Sequence, residues 1–203
     1  MPDDDVTKPA CPWALGVSDA YLAYHDEEWG VPVADDRVLF EFLVLETAQA
    51  GLSWSTILHK RDGYRRAFSH FDPVAIASFD SQRQEALRSD VGIVRNRLKI
   101  AATVINAQQF LEVQETFGSF ARYLWQFVDG VPQQNAWAVQ ADCPATSPES
   151  DALSKDLKQR GFKFVGSTTM YAYMQAVGMV NDHVIDCPRH AACARMGKGF
   201  VVP

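Results

Sequence analysis

The first residue of this 203-residue chain that could do chemistry is a glutamate placed where an apolar side chain is expected. Glu46 follows Leu43 by three positions, Phe42 by four and Leu39 by seven, so helical spacing puts it on their stripe. Burying a carboxylate without a partner raises its pKa, and groups perturbed in this way are enriched at functional sites. A structural acid answered by an arginine or by helix N–H groups is the alternative there. A second set is His183 and Cys187, four apart and able to share one face of a helical turn, with Cys11 and His25 in the N-terminal segment. Two nitrogens and two sulfurs would close a tetrahedral zinc site with no position left for water or substrate, which favours a staple between the chain ends over catalysis. Taken alone, a His-x-x-x-Cys is more often a buried histidine beside an unrelated thiol.

A third feature is backbone. Gly161-Phe162-Lys163-Phe164-Val165-Gly166 reads as a tight hairpin bounded by glycines. The N–H groups opening the helix after it, together with the helix dipole, would suit an anion such as a DNA phosphate, and Lys158, Arg160 and Lys163 place positive charge around the turn. An ordinary helix–helix corner accounts for the same spacing equally well.

The elements that must position these residues read as all-α, because apolar residues recur at three- and four-residue intervals. Asp35 or Asp36 caps a helix running through Val38, Leu39, Phe42, Leu43 and Leu45 to about Ala50, where Gly51 ends it, and a second helix opens at Ser53. Asp72-Pro73 starts another. Leu98, Ala101, Ala102, Ile105 and Leu111 trace the buried stripe of a longer helix, followed by a short aromatic one over 120–128 whose Tyr123 and Trp125 belong to the core. Val131 to Ala145 is the longest loop and separates two lobes. Ser147-Pro148-Glu149 opens a helix that ends at Gly161, and Ser167 caps the next, with Tyr171, Met174 and Val177 on its buried side. Past Cys187, glycine and basic residues point to a mobile tail.

Composition sets bounds. A 47% hydrophobic, 22% charged chain can bury a substantial core as one domain over 1–203, and no apolar run approaches a membrane span. An acidic Asp3–Asp5 start, with no basic segment and apolar run after it, carries no export signal, which predicts a cytoplasmic monomer whose four cysteines are reduced, buried or metal-bound. The formal net charge of -6 weighs against nucleic acid, although basic residues gather at His59-Lys60-Arg61, Arg65-Arg66, 95–99 and 155–163, which allows one basic face.

Several stretches carry a family resemblance. Leu157 to Val184 resembles the helix-hairpin-helix signature of the DNA glycosylase superfamily, with the motif at about 149–177. More narrowly, Tyr24-His25-Asp26-Glu27-Glu28-Trp29-Gly30-Val31-Pro32, Leu45-Glu46, Gln49-Ala50-Gly51-Leu52-Ser53-Trp54, Asp151-Ala152-Leu153-Ser154, 160–166 and Asn181-Asp182-His183-Val184 resemble the DNA-3-methyladenine glycosylase I family. The resemblance implies a monofunctional glycosylase that flips 3-methyladenine out of alkylated double-stranded DNA and hydrolyses its bond to the sugar. It implies that Cys11, His25, His183 and Cys187 are structural zinc ligands, with Cys193 the rival to Cys187, and that Glu46 contacts the base.

An acceptor suits the exocyclic amine of adenine, and flat electron-rich rings suit a flipped, cationic methylated base. Of the aromatic residues near His25 and Glu46, Tyr24 and Trp54, then Tyr21, are expected to stack on it, while Trp13 and Trp29 are expected in the core. Gly51-Leu52 would wedge into the gap left by the base, and Lys163, Gly166 and Ser167 would grip the backbone.

The sequence departs from the wider superfamily where an aspartate is usual: Asn181 stands in its place, and Asp182 is displaced by one. Phe164 stands at the hairpin's first glycine. A cationic purine leaves readily, so recognition would carry most of the catalysis. Two rivals remain: a non-catalytic zinc-stabilised DNA-binding module, and a zinc hydrolase using Glu27 or Glu28, which a closed metal site disfavours.

Overall fold

The computed structural model describes residues 11–203, so the acidic Asp3–Asp5 stretch lies outside the described residues. Within them run α1 (Asp19–Glu27), α2 (Asp36–Gln49), α3 (Trp54–Ala67), α4 (Pro73–Ala77), α5 (Ser81–Leu87), α6 (Arg97–Phe117), α7 (Phe120–Trp125), α8 (Pro148–Gln159), α9 (Ser167–Ala176) and α10 (Pro188–Lys198). The only sheet among the described residues is a parallel pair, β1 (Gln133–Gln134) with β2 (Val180–Asn181), which ties the long loop to the segment after α9.

Local chemistry sets most helix starts. Asp35 accepts from Val38 N–H, Ser53 from Thr56 N–H and Asp72 from Val74 N–H, while Ser147 and Ser150 form a reciprocal capping box at α8. The start of α9 differs from expectation. Gly166 is its N-cap with no side-chain cap, because the Ser167 hydroxyl turns inward to Asp151 and Ser150 on α8.

The core forms around α2, which buries an unbroken run from Phe42 to Ala48 and packs against α3, α6, α7 and α9. A helix apolar on nearly all sides has no solvent face to keep. On α6 the expected stripe is displaced: Ile100, Val104, Ala107, Phe110 and Val113 are buried, whereas Leu98 is 61% exposed. The face is chosen by where α2, α4, α5 and α7 meet the helix, and the ring of Phe110 stacks 4.2 Å from that of Phe120. Tyr123 and Trp125 are core, with Tyr123 donating to Asp156 and Trp125 to the Val33 carbonyl.

The tail is not loose. α10 buries Cys193, the Phe200 ring lies 4.2 Å from that of Trp125, and Arg122 Nε donates to the Pro203 carbonyl. Arg195 and Lys198 are exposed on α10, whereas Gly197 is buried where the helix packs against Pro132 and Gln134.

Candidate active site and metal centre

Four helices, α1, α2, α3 and α9, converge on one cavity of about 210 Å³ lined by Tyr21, Tyr24, Glu46, Trp54 and Gln175, among others. Tyr21, Tyr24 and His25 stand at i, i+3 and i+4 of α1, so a single short helix supplies both cavity wall and metal ligand. Trp54 opens α3, and its ring lies 5.1 Å from that of Tyr24. Glu46 and Gln49 reach the cavity from the last turns of α2.

Glu46 is 4% exposed, and among the described residues no donor reaches its carboxylate. Arginine does not answer it: Arg61 is spent in a bidentate pair with Glu28 at 2.7 and 2.8 Å and a 2.6 Å bond to Glu41. Burial therefore pushes the Glu46 pKa up to about 8. The indole Nε1 of Trp54 and the amide oxygen of Gln140, two residues that line the cavity, are also buried without partners. The cavity thus holds several polar groups that a ligand could satisfy.

The four residues separated by up to 176 positions meet beside it. The candidate ligand atoms of Cys11, His25, His183 and Cys187 all lie within 4.8 Å of one another, and all four residues are buried. Cys11 Sγ is 3.4 Å from His183 Nδ1, and Cys187 Sγ is 3.6 Å from His25 Nε2 and 3.7 Å from His183 Nδ1. Tetrahedral bonds of about 2.3 Å to sulfur and 2.0–2.1 Å to nitrogen put neighbouring ligands roughly 3.5 Å apart, so the group can hold a metal ion. The outward nitrogens are occupied as metal-binding imidazoles require: His25 Nδ1 by Asp26 Oδ1 at 2.7 Å, and His183 Nε2 by the Trp29 carbonyl at 3.0 Å. Cys187 is held well below its ordinary thiol pKa, chiefly by the hydrogen bond from Cys11 and then by those from His183 and His25. Cys193 stays outside the group. A side chain at Gly30 would sit 3.1 Å from the His183 ring, with φ at +79°.

Trp13 and Trp29, expected as plain core, have two roles. Both line the cavity, and both meet the histidines edge-on, Trp13 with His25 at 5.0 Å and Trp29 with His183 at 4.6 Å. Gln49, Gln140, Ala172 and Gln175 also line it. Of these only Gln49, three residues after Glu46 on one helix, left a sequence signal.

Gly51 and Leu52 form the exposed turn between Gln49 and Trp54, which line the cavity, with Gly51 at φ +77° and Leu52 39% exposed. Gln49 Nε2 donates to the Leu52 carbonyl, and Lys99 Nζ donates to the carbonyls of Ala48 and Ala50, each at 2.7 Å. Lys163, Gly166 and Ser167 lie at the α8–α9 hairpin, with Lys163 exposed and Phe164 held at φ +59°. Part of the expected basic face is consumed internally: Arg61 pairs with Glu28 and Glu41, Arg65 with Glu41 and Arg160 with Asp156. Asn181 donates to Gln134 and to the His190 carbonyl, and Asp182, which does not itself line the cavity, is enclosed by donors that include Asn135 and the lining residue Gln175.

Against known proteins, the methyladenine glycosylase family matches residues 13–190. The chain is 47% identical to DNA-3-methyladenine glycosylase 1 of Escherichia coli over 177 residues, covering 87% of this chain and 94% of that protein. A crystal structure of 3-methyladenine DNA glycosylase I superimposes with a TM-score of 0.86 at 48% identity, covering 89% and 98% of the two chains. A structure addressing 3-methyladenine recognition by the Staphylococcus aureus enzyme gives 0.84 at 40% identity, covering 86% and 94%.

Proposed function

The chain belongs to the methyladenine glycosylase family, and we propose that its cavity receives 3-methyladenine swung out of alkylated duplex DNA, held by Glu46, Tyr24, Trp54 and Tyr21. The activity is base excision, the hydrolysis of the N-glycosidic bond between an alkylated base and deoxyribose. One observation carries the assignment of roles: a buried carboxylate with no protein donor faces a cavity walled by aromatic rings.

Such a carboxylate asks for a ligand that brings its own hydrogen-bond donors and positive charge. The exocyclic amine of adenine supplies the donors, and methylation at N3 in the nucleoside supplies the charge. The ring faces of Tyr24 and Trp54 attract the same cation, and Trp54 Nε1 has a hydrogen to give. The cationic purine is already a good leaving group. As the bond between C1′ and N9 lengthens, its electron pair goes to the purine, which departs neutral; water adds to C1′ and its proton is lost to solvent. Asn181 is no carboxylate and Asp182 is engaged elsewhere, so the chain contributes mainly by binding the departing base.

Gly51-Leu52 would fill the space the base vacates. Lys163, Gly166 and Ser167 would grip a phosphate of double-stranded DNA, Ser167 through its backbone N–H because its hydroxyl is turned away. The metal centre holds zinc, the ion that two thiolates and two imidazoles suit. Its four positions are filled by Cys11, His25, His183 and Cys187, so its contribution is to tie the chain ends together and to fix Trp13 and Trp29. On this reading the chain is one domain of two helical lobes, working as a cytoplasmic monomer; no described helix is long and apolar enough to cross a membrane.

A non-catalytic DNA-binding module would have no use for the partnerless Glu46. The test is release of free base from methylated duplex DNA, followed by chromatography. Wild type should release 3-methyladenine, and Glu46→Gln should lose about 100-fold in kcat/KM, the order expected for about 3 kcal/mol of recognition. Undiminished release by that variant would remove Glu46 from the site.

A further inference from the structure

Gln175 reaches the cavity from α9, and its amide is oriented by a group that the excision chemistry leaves unused. Asp182 is fully buried, and its carboxylate accepts from Asn135 Nδ2 at 2.6 Å, Trp137 Nε1 at 2.7 Å, Tyr171 Oη at 2.7 Å, Gln175 Nε2 at 2.7 Å and Cys143 Sγ at 3.2 Å. The long loop and α9 are thereby clamped to one anion. Gln175 Nε2 also lies 3.4 Å from Cys143 Sγ. An ionised carboxylate only accepts, so the end of Gln175 that faces Asp182 is its NH₂ group. The remaining polar atom, the carbonyl oxygen Oε1, has no donor among the described residues, and Gln175 lines the cavity.

We propose that Gln175 Oε1 is a second acceptor for the flipped base, locked in orientation by Asp182 as a positioning residue, and that the two acceptors Glu46 and Gln175 select methylated adenine over methylated guanine. The inference rests on the reading of Glu46 as the base-holding group. The amine of 3-methyladenine has two hydrogens, one on the N7 side for Glu46 and one on the N1 side for Gln175. In 3-methylguanine the same position is a carbonyl oxygen, which meets two acceptors and leaves both unpaired. Leaving a site's polar groups unpaired is what gives strong discrimination between similar ligands. Without Asp182 the amide is free to turn and present its NH₂, which a guanine carbonyl accepts.

The experiment compares wild type, Gln175→Met, Asp182→Asn and Glu46→Gln on duplex DNA methylated at N3 of both purines, and measures released 3-methyladenine and 3-methylguanine by chromatography. In Gln175→Met and Asp182→Asn the ratio of the two should fall about tenfold or more, with KM for 3-methyladenine sites raised more than kcat is lowered. An unchanged ratio, including an equal loss of both products, overturns the proposal. Asp182 adjoins His183, so its variant is compared at matched metal content; should it not fold, Gln175→Met decides alone. Glu46→Gln separates the two readings. If that variant keeps full release, the Glu46 assignment falls and takes this one with it; if it loses release while Gln175→Met keeps the wild-type ratio, only the Gln175 assignment falls.

Discussion

The carbonyl of Trp29 accepts a hydrogen bond from Nε2 of His183 at 3.0 Å, joining a wall of the cavity to a residue of the metal centre. The backbone turn at Gly30 allows this approach, since any side chain there would meet the same imidazole. The cavity wall and the metal centre therefore meet at this contact and at that of Trp13 with His25.

Metal removal tests those contacts. About one zinc per chain is expected by metal analysis, and Cys11→Ser should lose it together with more than about 3 kcal/mol of stability, the exceptional class to which metal loss belongs. Its affinity for free 3-methyladenine, measured by calorimetry, should fall as Trp13 and Trp29 loosen. A fully stable, metal-free Cys11→Ser protein would refute the staple.

Glu46 predicts a pH dependence of stability. Its folded pKa of about 8 lies above its ordinary value of 4.5, so the folded state holds that proton more tightly than the unfolded chain does. The destabilisation is absent below about pH 4.5, grows as pH rises to 8 and is complete above it, at about 1.4 kcal/mol for each tenfold difference in proton affinity between the folded and unfolded chain. Glu46→Gln should thus melt well above wild type at pH 8–9 and close to it at pH 4.5. Parallel melting curves across this range would contradict the burial argument.

The same group should shape the rate. If the carboxylate is the form that holds a cationic base, kcat/KM of wild type rises with pH and levels off above about 8, while the residual activity of Glu46→Gln lacks that limb. A pH–rate profile on a methylated duplex reads this directly.

Lys99 holds the turn that carries Gly51 and Leu52, through the carbonyls of Ala48 and Ala50. Lys99→Met should cost about 1.5–3 kcal/mol in chemical denaturation, as lost charged hydrogen bonds do. It should lower excision from duplex DNA more than affinity for the free base. Equal effects on both would argue against a role for this turn in base extrusion.

Lys163 is exposed at the hairpin, unlike Arg160, which is tied to Asp156. Lys163→Ala should weaken binding to undamaged and damaged duplexes alike and reduce the salt slope of log K by about 0.9, one phosphate contact. An unchanged slope in a titration series would place the DNA elsewhere.

Features governed by neighbours along the chain were legible in the sequence. Helix starts at Asp35, Ser53, Asp72 and Ser147 depend on a side chain reaching an N–H two or three residues ahead, and Glu46 stood out because its stripe-mates lie within two turns. The family could also be read there, since its motifs are short and contiguous. Tertiary structure alone decided which face of α6 is buried, that Ser167 turns inward rather than capping, and that the tail packs as α10. It also decided that Arg61 is consumed by acids rather than offered to DNA, and that Gln140 and Gln175 reach the cavity. Each of these depends on partners beyond the reach of helical spacing, and spacing along a chain carries no information about a distance that only packing creates.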